Sequence, residues 1–259
     1  MATPRIAVLG TGANGSVIGA DLVRSGYDVT FIDQWPEHVD KIRADGVTIE
    51  VEEEGTFTTR IDKMLHICDV ATLSHQFDIV FLVLKAYDTR WGCELIKPYV
   101  AEHGVVVGVQ NGMTFDDIID IMGAERAIGC VIEVSSTMLV PGLVERQSPP
   151  SRSWFAVGTD DGTVTAELRQ VAEIMRCVGG VEIVDDIRSA KWMKLVLNAA
   201  ELVPSAILDL SIPRAARIPE MRTLMIAAGN EAIDAGLALG HRVVPIFGLE
   251  DVDPARPHD

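Results

Sequence analysis

A glycine-rich segment between an apolar run and a helical pattern is the feature that most constrains this chain. The four-residue run Ile6–Leu9 is followed directly by Gly10–Gly15 (GTGANG). Apolar residues at helical spacing then continue as far as Gly26, and a second apolar run, Tyr27–Ile32, ends in Asp33. Two short buried strands joined by a helix are typical of a βαβ unit in a parallel sheet.

The glycines match the pattern GxGxxG, and each has a physical role. Gly10 permits a tight turn out of the strand, Gly12 lets the backbone approach a pyrophosphate, and Gly15 lets the helix pack closely on the strand. The free N–H groups of a helix N-terminus also attract phosphate. This segment therefore predicts a dinucleotide site, although a glycine-rich turn in another α/β protein has the same pattern. The predicted cofactor-binding residues are Gly10, Thr11, Gly12, Ala13, Asn14 and Gly15.

An acidic residue, Asp33, lies 18 residues after Gly15 at the end of the second predicted strand. A carboxylate in this position accepts hydrogen bonds from the ribose hydroxyls of NAD and repels the 2′-phosphate of NADP. Asp33 therefore favours NAD slightly. Capping of the turn at Gln34-Trp35-Pro36 is an alternative role that the sequence leaves open.

The charge of the chain excludes some classes of protein. It has 22 Lys and Arg against 38 Asp and Glu among 259 residues, and the net charge of −16 argues against general binding of nucleic acid. Its four cysteines are isolated in sequence, so neither a metal site nor a disulfide framework is predicted. The first apolar run is too short for a membrane span or a signal peptide, so we expect a cytoplasmic protein without membrane contact.

Strand and helix patterns alternate through the middle of the chain and predict a Rossmann-type, doubly wound parallel sheet. Lys85 follows the apolar run Phe77–Leu84, and Asn111 comes soon after the run Val105–Val109. Because ligands bind beyond the carboxyl ends of strands in such sheets, both residues are candidate ligand contacts. A solvated lysine and a turn-forming asparagine are equally good interpretations. Other strand or helix patterns cover Val47–Val51, Thr56–Ile61, Ala127–Leu139, Ser153–Val157, Thr165–Val178 and Val181–Val184.

The pattern becomes helical from Ile187 onward, which predicts a dinucleotide-binding domain over 1–186 and a smaller all-α domain over 187–259. In the first of these helices Lys194 and Asn198 lie one turn apart on one face, and Lys191 lies on nearly the same stripe. A lysine among the apolar residues of this helix would be partly desolvated, which lowers its pKa and makes it a better proton donor. A lysine snorkelling from an exposed face is the alternative.

Four blocks in this order resemble the ketopantoate reductases (2-dehydropantoate 2-reductases), of the 6-phosphogluconate-dehydrogenase-like superfamily. They are Gly10–Gly15, Leu84-Lys85-Ala86, Gln110-Asn111-Gly112-Met113, and Trp192-Met193-Lys194-Leu195 with Asn198. The interval of 26 residues between Lys85 and Asn111 also fits. The resemblance covers the chain from about residue 5 to about residue 245.

The resemblance implies hydride transfer from NADPH or NADH to the ketone carbon of a 2-oxo acid. It makes Lys194 the general acid that protonates the alkoxide, and Asn198 a substrate-binding residue. Lys85 and Asn111 would lie near the nicotinamide ribose and the substrate, and Ser135 would line the cofactor pocket. The family mostly uses NADP, in contrast to the indication from Asp33.

Two departures from the family pattern bear on activity. Leu202 occupies a position where the family usually has a further asparagine. By the family's spacing, a substrate-clamping serine and an essential glutamate would fall beyond Asp259, so the helical domain is expected to be incomplete at its C-terminus. The alternatives are therefore a catalytically impaired dinucleotide-binding protein and a relative of the hydroxy-acid dehydrogenases. The expected partner is a small 2-oxo acid, and a homodimer is left open.

Overall fold

The computed structural model describes residues 3–51 and 54–248 and contains two sheets with helices around them. The strands are β1 (Arg5–Leu9), β2 (Asp28–Asp33), β3 (Val47–Val51), β4 (Gly55–Thr59), β5 (Met64–His66), β6 (Phe77–Leu82), β7 (Val100–Gly108), β8 (Ala127–Glu133), β9 (Ser136–Val140), β10 (Leu143–Arg146), β11 (Trp154–Gly158) and β12 (Gly180–Ile183). The helices are α1 (Ala13–Arg24), α2 (Pro36–Asp45), α3 (Thr89–Ile96), α4 (Phe115–Met122), α5 (Ala166–Met175), α6 (Ile187–Leu197), α7 (Val203–Ile207), α8 (Ile212–Ala215) and α9 (Pro219–Ala238).

The main sheet has the strand order β12-β11-β8-β7-β6-β1-β2-β5. Its strands from β8 to β5 are mutually parallel. Most residues of β1, β2 and β6 are buried because helices cover both faces of the sheet, and this explains their continuous apolar runs. The predicted doubly wound α/β sheet is confirmed.

One edge of this sheet departs from the all-parallel prediction, because β11 runs antiparallel to β8. A parallel return needs a crossover connection, usually a helix. The chain between β8 and β11 instead forms β9 and β10, so it returns to the main sheet in the opposite direction.

The second sheet has the order β4-β3-β10-β9 and packs against α1. Its β3–β4 pair is antiparallel, and residues 52–53, between the two strands, lie outside the described residues. The segment Ala127–Leu139, which reads as one strand pattern, is divided between the two sheets. We call β3, β4, β9 and β10 the small sheet.

A buried arginine fastens the small sheet to α1. Arg146, at the end of β10, has a fully buried side chain and pairs with Asp21 of α1 at 2.6 Å. The same guanidinium donates to the carbonyl oxygens of Ser148 and Val178. Burial raises the pKa of Asp21 above its ordinary value, an effect that Arg146 opposes. The small sheet is therefore fixed beside the helix that follows the glycine-rich loop.

The helical region begins with α6, at the residue where the sequence pattern changes. The carboxylate of Asp186 caps this helix by accepting from the backbone N–H of Ser189 at 2.9 Å. A π-helical turn, Asn198–Leu202, joins α6 to α7, where Pro204 lacks the N–H that a regular helix would use. The division into domains at residue 186 stays a prediction.

Apolar side chains are exposed on the helices after α6. They include Leu202, Val203, Ile207, Leu224, Ile226 and Leu239. Within the described residues, no helix combines the length and the apolar character needed to cross a membrane.

Candidate active site

A cleft of about 620 Å³ lies beyond the carboxyl ends of β1, β2, β6 and β7. Parallel strands end at this edge, which is where ligands bind in doubly wound sheets. The predicted site residues that line the cleft are Gly10, Gly12, Ala13, Asn14, Asp33, Lys85 and Asn111. The structure thus brings most of the predicted site together in one place.

The glycine-rich loop has the shape that a pyrophosphate requires. Gly10 has a φ of +91°, and a Cβ on Gly15 would lie 2.0 Å from the carbonyl oxygen of Gly10. A Cβ on Gly12, in contrast, would meet nothing within 4 Å. Gly12 is also the N-cap of α1 and offers no side chain to the first N–H groups of the helix. Within the described residues, the loop therefore leaves open space at Gly12, and no side chain caps the first N–H groups of α1.

Asp33 performs the capping role and also reaches the cleft. One carboxylate oxygen accepts from the backbone N–H of Thr11 at 2.6 Å and from its hydroxyl at 3.0 Å. The other oxygen accepts from the backbone N–H of Trp35 at 2.9 Å. Thr11 itself is fully buried and is not among the residues that line the cleft. Asp33 therefore links the glycine-rich loop to the turn after β2.

Lys85 and Asn111 lie at neighbouring strand ends, as predicted. Both are exposed in the cleft, after β6 and β7 respectively. Among the described residues that line the cleft, Lys85 is the only cation. An oxo-acid carboxylate entering this cleft would therefore meet one positive side chain.

The deeply buried lysine of α6 is Lys191 rather than Lys194. Lys191 is 3% exposed, and its ammonium donates to the carbonyl oxygens of Gln110 at 2.8 Å and Cys130 at 3.0 Å. Burial lowers the pKa of Lys191 to about 8. Gln110 directly precedes Asn111, the predicted ligand contact after β7. Lys191 therefore joins α6 to this end of β7.

Lys194 is partly buried, at the β8 end of the cleft. Its ammonium pairs with the carboxylate of Glu133 and lies 5.5 Å from the centre of the Phe247 ring. Glu133 ends β8 and follows Ile132, which lines the cleft. Lys194 and Asn198 are not among the lining residues, so the ion pair sits beside the cleft rather than in its wall.

Among the described residues that line the cleft, the serine is Ser136, and the predicted Ser135 is not one of them. Ser135 is exposed and donates to the side-chain oxygen of Gln147. The hydroxyl of Ser136 lies 2.6 Å from the side-chain oxygen of Asn14 in the glycine-rich loop. Adjacent residues of an extended chain point to opposite sides, so the side chains of Ser135 and Ser136 face in different directions.

Three residues of the site environment were not identified from sequence. They are His38, Glu133 and Ser136. Glu133 stands at the end of an apolar strand, so the criterion that identified Lys85 and Asn111 applies to it as well. The contacts of His38 and Lys191 depend on tertiary packing, and no local pattern signals them.

Comparison with known proteins shows which family this chain is similar to. Residues 6–159 match the family model for ketopantoate reductase PanE/ApbA. The chain is 27% identical to a 2-dehydropantoate 2-reductase of Archaeoglobus fulgidus, across 93% of this chain and 76% of the relative.

Solved structures show the same relationship. A 2-dehydropantoate 2-reductase of Geobacter metallireducens has a TM-score of 0.82 and 27% identity, with 94% of this chain and 79% of that one covered. A PanE/ApbA family ketopantoate reductase of Ralstonia eutropha has a TM-score of 0.78 and 26% identity, with 93% and 76% covered. This chain therefore belongs to the ketopantoate reductase family of oxidoreductases, which use a nicotinamide dinucleotide.

Proposed function

We propose that this protein reduces 2-dehydropantoate, or a related branched 2-oxo acid, to the corresponding 2-hydroxy acid. The observation that carries the proposal is the convergence of three features at one sheet edge. The glycine-rich loop, Lys85 and Asn111 share the cleft, and Lys194 lies beside it on α6. Membership of the family supplies the chemical class.

The bound dinucleotide would supply a hydride to the ketone carbon. The loop Gly10–Gly15 and the N-terminus of α1 would hold its pyrophosphate. Lys85 would bind the substrate carboxylate, and Asn111 would hydrogen-bond to the substrate or to the nearby ribose.

Lys194 would act as the general acid. Its Nζ gives a proton to the oxygen of the former ketone, which gains the electron pair of the C=O π bond. The lysine becomes neutral and recovers its proton from solvent. A cation beside this oxygen also stabilises the charge that develops there. Asn198, one helical turn further on, would bind the substrate.

We infer a preference for NADH over NADPH from the surroundings of Asp33. Its carboxylate lines the cleft where the second strand ends, a position in which an acid repels a 2′-phosphate. Lys85, the one cation among the described lining residues, follows a different strand. Of the described residues in the pocket wall near Asp33, none therefore has a positive side chain to bind that phosphate.

Dinucleotide binding without turnover is the second candidate function. Two observations favour it. Lys194 is not among the described residues that line the cleft, and Leu202 replaces an expected asparagine with an exposed apolar side chain.

The function is tested by following the absorbance of reduced nicotinamide. The purified protein is mixed with NADH or NADPH and then with 2-dehydropantoate, pyruvate or phenylglyoxylate. We expect NADH oxidation to be fastest with 2-dehydropantoate. Faster oxidation with phenylglyoxylate would favour a hydroxy-acid dehydrogenase instead. Dinucleotide binding without oxidation by any of these acids would select the second candidate.

A homodimer also stays a prediction. The exposed apolar residues of α7 and α9 are compatible with an interface between subunits. Sedimentation equilibrium of the purified protein measures the subunit number directly.

A further inference from the structure

A buried histidine, His38, makes two hydrogen bonds to backbone groups of different elements. It lies on α2, and its side chain is fully buried. Its Nε2 is 2.8 Å from the carbonyl oxygen of Thr11, in the glycine-rich loop. Its Nδ1 is 3.0 Å from the backbone nitrogen of Gly142, in the turn between β9 and β10.

These two partners determine the protonation of the ring. The backbone N–H of Gly142 can only donate, so Nδ1 must be the unprotonated, accepting nitrogen. The carbonyl of Thr11 can only accept, so Nε2 must carry the hydrogen. His38 is therefore a neutral imidazole in a single tautomer that satisfies both backbone groups.

With the bond from His38, both backbone polar groups of Thr11 are held by side chains. The N–H and the hydroxyl of Thr11 donate to Asp33. Its carbonyl accepts from His38 and also from the hydroxyl of Ser16, at 2.5 Å. Because Thr11 lies between Gly10 and Gly12, these bonds set the direction in which the loop presents its backbone to the cleft.

The same histidine connects this loop to the small sheet and to the cleft wall. Gly142 has a φ of +75° in the β9–β10 turn. The other end of β9 reaches the loop through Ser136 and Asn14. The ring of His38 also stacks on Trp35, which lines the cleft, with centroids 5.8 Å apart and planes 21° apart.

We propose that His38 is a positioning residue for dinucleotide binding, which holds the glycine-rich loop in its binding conformation by joining Thr11 to the β9–β10 turn. The inference rests on the proposed dinucleotide site and extends it to a residue on α2. His38 does not line the cleft, so it acts through Thr11 and not by contact with the ligand.

Two amide variants separate the two hydrogen bonds. In His38→Gln the longer side chain brings its amide nitrogen to the position of Nε2 and retains a donor for Thr11. In His38→Asn the shorter side chain brings its oxygen near the position of Nδ1 and retains only the acceptor for Gly142. Both variants lose the ring that stacks on Trp35. Because each keeps one bond and loses the other, their difference compares the bond to Thr11 with the bond to Gly142. His38→Leu removes both bonds.

The measured quantity is the dissociation constant for NADH, from the fluorescence of the bound nucleotide, at a temperature where each variant is folded by circular dichroism. We expect His38→Asn and His38→Leu to weaken binding about tenfold, the effect of one lost hydrogen bond of ~1.4 kcal/mol. His38→Gln should stay within about threefold of the wild type. If His38→Leu does not fold, the comparison of His38→Asn with the wild type still decides.

NADH affinity within about threefold of the wild type in both His38→Asn and His38→Leu would overturn the inference, because loss of the bond to Thr11 would then have no effect on binding. Failure of the wild type to bind either nucleotide would instead overturn the dinucleotide site itself, and the inference with it.

As an independent readout, ¹⁵N chemical shifts of the His38 ring should show the Nε2–H tautomer. A ring protonated on Nδ1 would contradict the hydrogen-bond assignment.

Discussion

Lys194 of α6 is paired with Glu133 at the end of β8, so a side chain of the main sheet holds the proposed proton donor. Glu133 is 44% exposed and Lys194 is 14% exposed, so the pair is only partly shielded from solvent. Its main effect is therefore to orient the lysine rather than to stabilise the fold. Glu133 directly follows Ile132, which lines the cleft.

Removal of Glu133 should slow turnover without affecting dinucleotide binding. In Glu133→Ala the ammonium loses its anchor, and we expect kcat to fall about tenfold, or ~1.4 kcal/mol in the barrier. Glu133→Gln should lose less, because the amide oxygen still accepts a hydrogen bond. Stopped-flow turnover and NADH titration measure the two effects separately. Unchanged kcat in both variants would show that Glu133 does not position Lys194.

Lys191 should make the stability of the protein depend on pH. Its pKa is lowered by burial from 10.5 to about 8 in the folded protein. Between these values the unfolded chain holds a proton that the folded protein lacks, so the unfolding free energy rises with pH. Below pH 8 both states are protonated, and the cost of the buried charge is fully present.

The variant Lys191→Met removes this dependence. The unfolding free energy of the wild type minus that of the variant should increase between about pH 8 and pH 10, by up to ~1.4 kcal/mol per pH unit. Urea unfolding at several pH values gives this difference, and contributions from other groups cancel in it. A difference that is flat or falls across this range would show that Lys191 is not buried as a charged group.

Alanine substitutions at two glycines of the loop should affect different properties: one weakens NADH binding, and the other lowers the stability of the protein. A Cβ on Gly12 meets no atom within 4 Å, so Gly12→Ala should fold with a change in stability of about 0.5 kcal/mol or less. It should nevertheless weaken NADH binding, because the methyl group occupies the space for the pyrophosphate. Gly15→Ala should instead destabilise the protein strongly, since its Cβ would lie 2.0 Å from the carbonyl oxygen of Gly10. Thermal unfolding and NADH titration of both variants test this contrast. Normal NADH affinity in a folded Gly12→Ala would place the pyrophosphate elsewhere.

Asp33→Asn should change the selectivity between the two nucleotides. The substitution removes the charge that repels a 2′-phosphate, but it also replaces an acceptor for Thr11 with an NH₂ donor. Both affinities should therefore fall, and the ratio of the NADPH to the NADH dissociation constant should decrease at least fivefold, or ~1 kcal/mol. If both affinities fall and their ratio is constant, Asp33 acts only as a cap of the turn.

The parts of the protein that could be predicted from sequence depend on local chemistry. The unit from β1 to β2 is visible because buried parallel strands need continuous apolar runs and the loop needs glycine. Lys85 and Asn111 could be found because each comes just after such a run. These signals lie within a few residues of the feature that they predict.

The remaining features depend on contacts between distant residues. His38 meets Gly142 across 104 positions, and Ser136 meets Asn14 across 122. The small sheet brings these residues together, and its parallel β3–β10 pairing has no local signature. Lys191 and Lys194 share nearly one helical stripe, so only the packing of α6 on β8 determines which lysine is buried.

The central claim, that Lys194 gives the proton in reduction of a 2-oxo acid, is tested most directly by Lys194→Ala. The measurement is steady-state oxidation of NADH with saturating 2-dehydropantoate, alongside NADH titration of the same samples. We expect kcat to fall by about 100-fold or more, the usual contribution of a general acid, while the NADH dissociation constant stays within about twofold. Turnover of Lys194→Ala at the wild-type rate would contradict the claim.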